Sequence, residues 1–350
     1  MSEKLMAMGR AMPKYYRRMP SKLCVVLLLI ATHIVLSRGV GAQQKVVIGY
    51  DGHAGFQGVV WAAKDLRLFE KHGLTGELVL IPGSARGMAA LISESTHFAQ
   101  GSATAPLSAY LRGGDVVVVA AALNKFPFSV VTRKEIRMAS QLVGKKIGIV
   151  NFGGSNDLAV TLALKEWNIP RNAVTILASG GAPERLAALL TGVLDATVLS
   201  PPETVAASRA GLNILANLSE LSASFPQTLV MVRRSFLASH RDTVKRFARA
   251  YSEAIHEFKT DKEKAIKVYA RHLKQTDRKI LDETYNYYAP RFSFPPRIDR
   301  GGVNNALELV RQNVKEKGEV NLGSFIDESV VDELEQEGFF KTLTEARRTK

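Results

Sequence analysis

The chain has 350 residues, 46% of them hydrophobic, with 47 Lys and Arg against 33 Asp and Glu and a single cysteine. That length suits one large or two medium domains. The +14 charge is not gathered into a polybasic block with interleaved aromatics, so nucleic-acid binding is not expected.

The N-terminal stretch reads as a secretion leader. Lys4, Arg10, Lys14, Arg17, Arg18 and Lys22 form a basic region, an apolar run follows from Leu23 to Leu36, and small residues Val40-Gly41-Ala42 make a processing site before Gln43. Residues 1–42 are therefore expected to be a signal peptide. Thr32 and His33 interrupt the run, which is short for a span of about 20 residues, so a retained anchor is the second choice. Arg17-Arg18 faintly suggests a twin-arginine signal, but Pro20 stands where an apolar residue is wanted. Cys24 begins the apolar run rather than following it, unlike a lipoprotein anchor. Its loss on cleavage would exclude disulfides, thiolate catalysis and cysteine-based zinc sites together. The leader holds seven of the 47 basic and one of the 33 acidic residues, leaving 40 against 32, or +8. A mild basic excess of this kind favours an anionic ligand only weakly.

Beyond the leader, Lys45–Tyr50 reads as a strand. A helix is expected over 55–72, with Phe56, Val59, Val60, Ala63 and Leu66 on one face and Gly73 as its stop. Leu78–Ile81 is the second strand, and Ser84 is placed to cap a helix over 85–92. Phe98–Gln100 is a third strand, followed by a helix over 104–111 and a buried strand over 116–122. Strands alternating with helices argue for an α/β fold with parallel-rich sheet and helical cover.

The pattern then restarts. Lys146–Val150 is a strand, Asn151–Asn156 a Gly-rich turn with Ser155 or Asn156 as cap, and a helix follows to Trp167. Strands at 174–177, 196–199 and 212–215 alternate with helices beginning at Pro183 and near Glu203. Two alternating segments flank this unit, Phe128–Arg133 and Thr228–Arg233, and read as paired hinge connectors or as ordinary edge strands. From Ser239 the chain is mostly helical. Ser239 with Asp242 suits a capping box, and Val244, Phe247, Ala248, Tyr251, Ile255 and Phe258 line one face. Further helices are expected near 262–273, 277–288, 303–317 and 328–337, with a loose charged tail after Leu343.

Several stretches carry a resemblance: Gly55-Phe56-Gln57-Gly58 through Trp61-Ala62-Ala63 to Leu68-Phe69-Glu70-Lys71-His72-Gly73-Leu74; Leu142-Val143-Gly144-Lys145-Lys146-Ile147-Gly148; Glu184-Arg185-Leu186-Ala187-Ala188-Leu189; Gly192-Val193-Leu194-Asp195-Ala196; and Phe236 through Arg241-Asp242 to Phe247, Ala250 and Tyr251. In these the chain resembles the substrate-binding components of ABC importers of the nitrate, sulfonate, taurine and thiamine-precursor group, periplasmic binding proteins with a two-lobed type II fold. The resemblance implies a first lobe from residues 45–126 and 236–345, an inserted second lobe from 127–235, and ligand held in the cleft between them. It further implies hinge closure on the ligand and delivery to an inner-membrane permease with its ATPase.

Ligands of open α/β sheets bind beyond the carboxyl ends of the strands, where helix N-termini receive oxyanions. The turn residues are therefore the candidates. In the first lobe they are His53, Phe56, Ser84, Ser102 and Thr104. In the second they are Asn151, Gly154, Ser155 and Asn156 as a cradle, with Ser179 and Glu203 at later turns. Asn124 and Gln227 lie near the connectors with Phe126. Each has a plainer alternative: His53 as a loop histidine, Ser84 and Ser155 as caps, Glu203 as a first-turn carboxylate favourable to the helix dipole. If Glu203 faces the cleft it argues for an amine or ring N–H on the ligand. Tyr285, Tyr287 and Tyr288 read as packing aromatics, one of which can roof the cleft.

No catalytic signature competes: H-E-x-x-H and G-x-S-x-G are absent, and His53, His72, His97, His240, His256 and His272 are scattered without metal-ligand spacing. The expectation is a monomeric, periplasmic, non-enzymatic solute receptor without cofactor or metal, binding a small anionic, sulfonate- or nitrate-like solute. The alternatives are an enzyme on the same fold, like a menaquinone-pathway lyase or a thiamine-pyrimidine synthase, or a sensory receptor.

Overall fold

The computed structural model describes residues 43–220, 224–313 and 321–348; the expected leader lies outside them. Two five-stranded sheets form the frame. The first is built from β1 (Gln44–Tyr50), β2 (Leu74–Leu80), β3 (Phe98–Gly101), β4 (Val117–Leu123) and β10 (Thr228–Val232), in the order β2-β1-β3-β10-β4. The second holds β5 (Ser129–Thr132), β6 (Lys146–Ile149), β7 (Thr175–Ala178), β8 (Ala196–Leu199) and β9 (Asn213–Asn217), in the order β7-β6-β8-β5-β9. β1 pairs in parallel with β2 and β3, and β6 with β7 and β8. Each sheet then accepts one antiparallel strand: β10 between β3 and β4, and β5 between β8 and β9. Residues 117–123, an unbroken apolar run, are buried throughout, as expected for a strand covered on both faces.

The two antiparallel strands correct one expectation. Segments 128–133 and 228–233 are neither free connectors nor edge strands; they are interior members of opposite sheets. The described residues between the sheets just before each are 124–128, and 218–220 with 224–227. These passages are tied together. The rings of Phe126 and Phe225 stack at 3.9 Å and 8°. Phe225 N–H donates to Asn124 O at 3.1 Å, Gln227 N–H to Leu123 O at 2.9 Å, and Leu218 N–H to Phe128 O at 2.8 Å. A strand that enters from the far sheet arrives running the opposite way, which is why it pairs antiparallel.

Helices cover the sheets: α1 (Gly58–Asp65), α2 (Leu68–Lys71), α3 (Ser84–Ile92), α4 (Thr104–Leu111), α5 (Ser155–Glu166), α6 (Ala182–Leu190) and α7 (Glu203–Arg209). Past β10 come α8 (Arg234–Ser239), α9 (Arg241–Thr260), α10 (Lys262–His272), α11 (Arg278–Tyr288), α12 (Arg300–Asn313), α13 (Leu322–Phe325), α14 (Ser329–Gln336) and α15 (Phe339–Arg348). The face of α9 read from the sequence, Val244 through Phe258, is buried against α1 and α2.

Local details differ from the sequence reading. The single helix over 55–72 is a 3-10 turn (Gly55–Gln57), α1 and α2, broken where Arg67 takes a left-handed φ of 55°. The break redirects Leu68 and Phe69 into the core. Ser84 lies inside α3, whose cap is Gly83 with φ 91°. Ser155 and Asn156 lie inside α5; Gly154 is its cap, and Asp157 Oδ2 accepts from Gly153 N–H at 2.8 Å. Ser239 caps nothing: its hydroxyl donates back to Ser235 O at 2.7 Å. The tail after Leu343 continues α15 with exposed residues; ahead of it, Phe340 packs against Phe294 at 5.7 Å and Phe339 against His72 at 6.0 Å.

The turn after β1 fits only because two residues lack side chains. A Cβ on Gly55 would lie 2.3 Å from the Tyr288 ring, and one on Gly58 2.9 Å from Phe258 and Tyr269. Gly58→Ala is therefore expected to destabilise the fold by about 1–3 kcal/mol through overpacking. Gly87, inside α3, has open space around its Cβ position, and Gly87→Ala should instead stabilise by about 0.5–1 kcal/mol. Urea unfolding of the two variants checks both signs.

Candidate functional site

The carboxyl ends of the parallel strands in both sheets face a shared cleft. It encloses a cavity of about 250 Å3. At ~30 Å3 per water this is the space of roughly eight waters, suited to a small solute. The first sheet contributes Asp51, His53 and Phe56 from the turn after β1, and Pro82, Gly83 and Ser84 from the turn after β2. The second contributes Asn151, Ser155 and Asn156 after β6, residues 181–185 after β7, and Ser200 after β8. Phe128 and Gln227 come from the passages between the sheets.

Three helices start at the cavity wall, at Ser84, Ser155 and Ala182. Their free N–H groups give the wall a receptive edge for anionic or carbonyl oxygen. The two sides touch across the cleft. Gly55 N–H donates to Pro201 O at 3.3 Å, as does the Tyr288 hydroxyl. Gly83 approaches Asn151 so closely that a Cβ there would lie 3.2 Å from Asn151 Oδ1.

Of the residues singled out from the sequence, His53, Phe56, Ser84, Asn151, Ser155, Asn156 and Gln227 line this cavity together. Phe56 stands edge-on to Phe128 at 6.3 Å. Gln227 Nε2 reaches Ser155 Oγ at 3.4 Å, and Gln227 Oε1 and Asn156 Oδ1 are buried without a hydrogen-bond partner.

Six candidates sit elsewhere. Ser102 and Thr104 are buried and bond each other at 3.0 Å. Asn124 is spent on the passage between sheets: its Nδ2 donates to Ser293 Oγ and Arg297 O, and its Oδ1 accepts from Asp299 N–H. Gly154 faces a second hollow beside Arg112 and Arg171. Ser179 donates to Leu177 O at 3.1 Å. Glu203 lies behind the wall, near Arg185; burial raises its carboxyl to about 7, with the Arg185 charge opposing that rise. Tyr285, Tyr287 and Tyr288 pack in the core cluster rather than roofing the cleft.

The sequence reading missed three charged residues of the wall, Asp51, Glu184 and Arg185. Arg185 is 2% exposed. Its guanidinium donates to Thr197 Oγ1 at 3.1 Å, Gly180 O at 2.6 Å and Val198 O at 3.1 Å, and burial lowers its pKa to about 10. Its signal was position: it lies four residues before Leu189 on the buried face of α6. Asp51 is the first residue past β1. Burial raises its carboxyl from 3.8 to about 6, against hydrogen bonds from Gln57 and the Ser102 backbone that favour the charged form. His53, in the same turn, is held below its ordinary value by burial. Among the described residues no group of three or more His, Cys, Asp or Glu is placed to hold a metal, and no helix is long and apolar enough to cross a membrane.

The Asp51 shift has a definite sign for stability. The folded carboxyl keeps its proton up to about pH 6, and an unfolded one only to about 4. The folded state thus binds more protons between these values, and this contribution to stability is lost as pH rises through that window. Asp51→Asn cannot titrate there. The melting temperature of the wild type minus that of Asp51→Asn is expected to fall as pH is raised from 4 to 7, measured by thermal unfolding in matched buffers.

The fold has close counterparts among solved structures. A protein from Bordetella bronchiseptica RB50 superposes with TM-score 0.76 at 17% identity, covering 85% of this chain and 98% of its own. The alkanesulfonate-binding protein SsuA from Xanthomonas axonopodis pv. citri, bound to MOPS, matches with TM-score 0.68 at 18% identity over 81% of this chain and 98% of that one. The periplasmic nitrate-binding protein NrtA from Synechocystis PCC 6803 matches with TM-score 0.67 at 12% identity, over 84% and 89% of the two chains. A search of curated proteins by sequence returned no match. The sheet orders and the cleft agree with the periplasmic binding protein fold these structures share, and fold and family together fit ABC-type substrate-binding proteins. With residues 56–265 matching its family model, the chain belongs to the NMT1/THI5-like family.

Proposed function

We propose that this protein is the solute-binding component of an ABC-type importer. It is exported by its N-terminal leader, binds a small solute as a monomer in the periplasm, and delivers it to a membrane permease powered by an ATPase. The observation that carries this reading is the cavity itself. It is walled from both sheets at their strand ends, and two tied passages of chain join the sheets. That arrangement suits two lobes that close on a ligand, with the passages as the hinge. The lobes are then residues 44–123 with 228–348, and 129–217. The expectation of an anionic, sulfonate- or nitrate-like solute rests on the resemblance and on the helix N-termini at the wall.

A second reading is favoured by Asp51. A carboxyl raised to about 6 in a cavity beside His53 has the character of a general base. An enzyme on this fold would turn its solute over; an importer component would release it unchanged.

The tests are direct. Native mass spectrometry of the purified protein is expected to find a carried-over small molecule. Adding that solute at 100 times its Kd should stabilise the fold by about 2.7 kcal/mol, read as a raised melting temperature. Small-angle scattering should show a smaller radius of gyration with solute than without. NMR should return the solute unchanged after prolonged incubation; a chemically altered solute favours the enzyme. N-terminal sequencing of exported protein should begin at Gln43.

A further inference from the structure

The cavity wall contains a carboxylate that the core has been arranged to hold. Asp51 Oδ1 accepts from Gln57 Nε2 at 2.8 Å. Gln57 Oε1 in turn accepts from Gln100 Nε2, and Gln100 Oε1 accepts from the Tyr251 hydroxyl at 2.5 Å. Gln57, Gln100 and Tyr251 are at most 2% exposed. Burying three polar side chains costs free energy unless each is bonded to the next, and here the chain of bonds runs from α9 through β3 to one end point, Asp51. The space for that carboxylate is also kept clear: a Cβ on Gly101 would lie 2.7 Å from Asp51 Oδ2. Ordinary packing would fill this path with apolar side chains.

The surrounding polar atoms point the same way. Asn156 and Gln227, 5% and 1% exposed, are lining residues of the cavity whose buried Oδ1 and Oε1 lack a partner in the chain. Arg185 is the one Lys or Arg among the lining residues, and it already donates to Thr197, Gly180 and Val198. Among these side chains the unmet demand is for hydrogen-bond donors, while the helix starts offer N–H groups of their own.

We propose that Asp51 is the ligand anchor, positioned by Gln57, Gln100 and Tyr251, and that it receives an N–H donor group of the solute, an ammonium, an amidinium or a ring N–H. This rests on the solute-receptor reading and narrows it. Oxygen atoms at the other end of such a solute meet the helix starts at Ser84, Ser155 and Ala182.

The charged and titratable groups facing Asp51 are His53 in its own turn and Glu184 and Arg185 on α6, with Glu203 behind them at the start of α7. Burial holds His53 below its ordinary value, so it is uncharged above neutral pH. Glu203 titrates near 7, and the Asp51 variant separates its contribution from that of Asp51.

The test compares two probe sets by thermal shift and calorimetry on the purified protein. Putrescine, benzamidine and 4-aminopyrimidine carry N–H donors; ethanesulfonate, benzoate and nitrate do not. The best stabiliser is expected to be an N–H donor. Asp51→Asn should weaken it by about 10- to 100-fold, the range for one hydrogen bond to a charged group. Benzamidine or putrescine affinity should fall as pH drops through about 6, the Asp51 value, and Asp51→Asn should abolish that dependence. Tyr251→Phe, which touches no cavity atom, should move the midpoint to higher pH, because the bonds that favour the Asp51 carboxylate are loosened. It carries the test should Asp51→Asn fail to fold. A best stabiliser without N–H groups, or a pH profile unmoved by both variants, overturns the assignment while leaving the receptor reading intact. Failure of every probe and the absence of any carried-over solute overturn both.

Discussion

The fold depends on how the chain passes between its two sheets. Two passages, 124–128 and 218–220 with 224–227, are joined by the Phe126–Phe225 stack and by backbone bonds from Phe225, Gln227 and Leu218. Because each passage feeds a strand into the interior of the opposite sheet, neither sheet is complete without the chain having crossed. β5 cannot fill its slot between β8 and β9, nor β10 its slot between β3 and β4, unless the passages hold the sheets at this spacing. The cavity exists because both sheets then present their carboxyl strand ends to the same gap.

The site built on that frame departs from the rules that govern the rest of the molecule. The core is apolar and dense, with α9 closing over α1 and α2. At the cavity wall and behind it the chain instead buries Arg185, and then Glu203, Gln57 and Gln100. Arg185 is neutralised in part by three carbonyl and hydroxyl acceptors. Glu203 Oε2 has no partner, and its carboxyl is correspondingly raised by burial. Uncompensated polarity of this kind costs stability.

Much of the fold was legible from the sequence because it follows from local chemistry. Alternation of apolar strands with helices announced two α/β units, and the apolar stripe from Val244 to Phe258 announced α9. The misreadings are where tertiary contact overrides local preference. Arg67 breaks a helix that its apolar spacing would continue, because Leu68 and Phe69 must turn inward. Ser84, Ser155 and Ser239 have the chemistry of caps, yet the capping positions fall to their neighbours Gly83, Gly154 and His240. The charges after Leu343 are plain in the sequence, whereas the aromatic seats of Phe339 and Phe340 just before them are not.

For the site, the rule that ligands meet strand ends led to six residues that do line the cavity, nearness to the connectors added Gln227, and the strand-end rule also placed Ser102, Thr104, Gly154, Ser179 and Glu203 there although they face elsewhere. A turn residue's number says that it is near a strand end; it does not say which side of the turn its side chain leaves from. The sequence by itself determined the α/β class, the two units and the family, since periodicity and local motifs survive without knowledge of contacts. Only the tertiary structure decided that β5 and β10 are exchanged between sheets and that Asn124 is spent on bonds at the passage between them. It also decided that Asp51 ends a buried chain reaching back to Tyr251, because partners 43 to 151 residues apart meet only when α9 has packed over the first sheet and its helices.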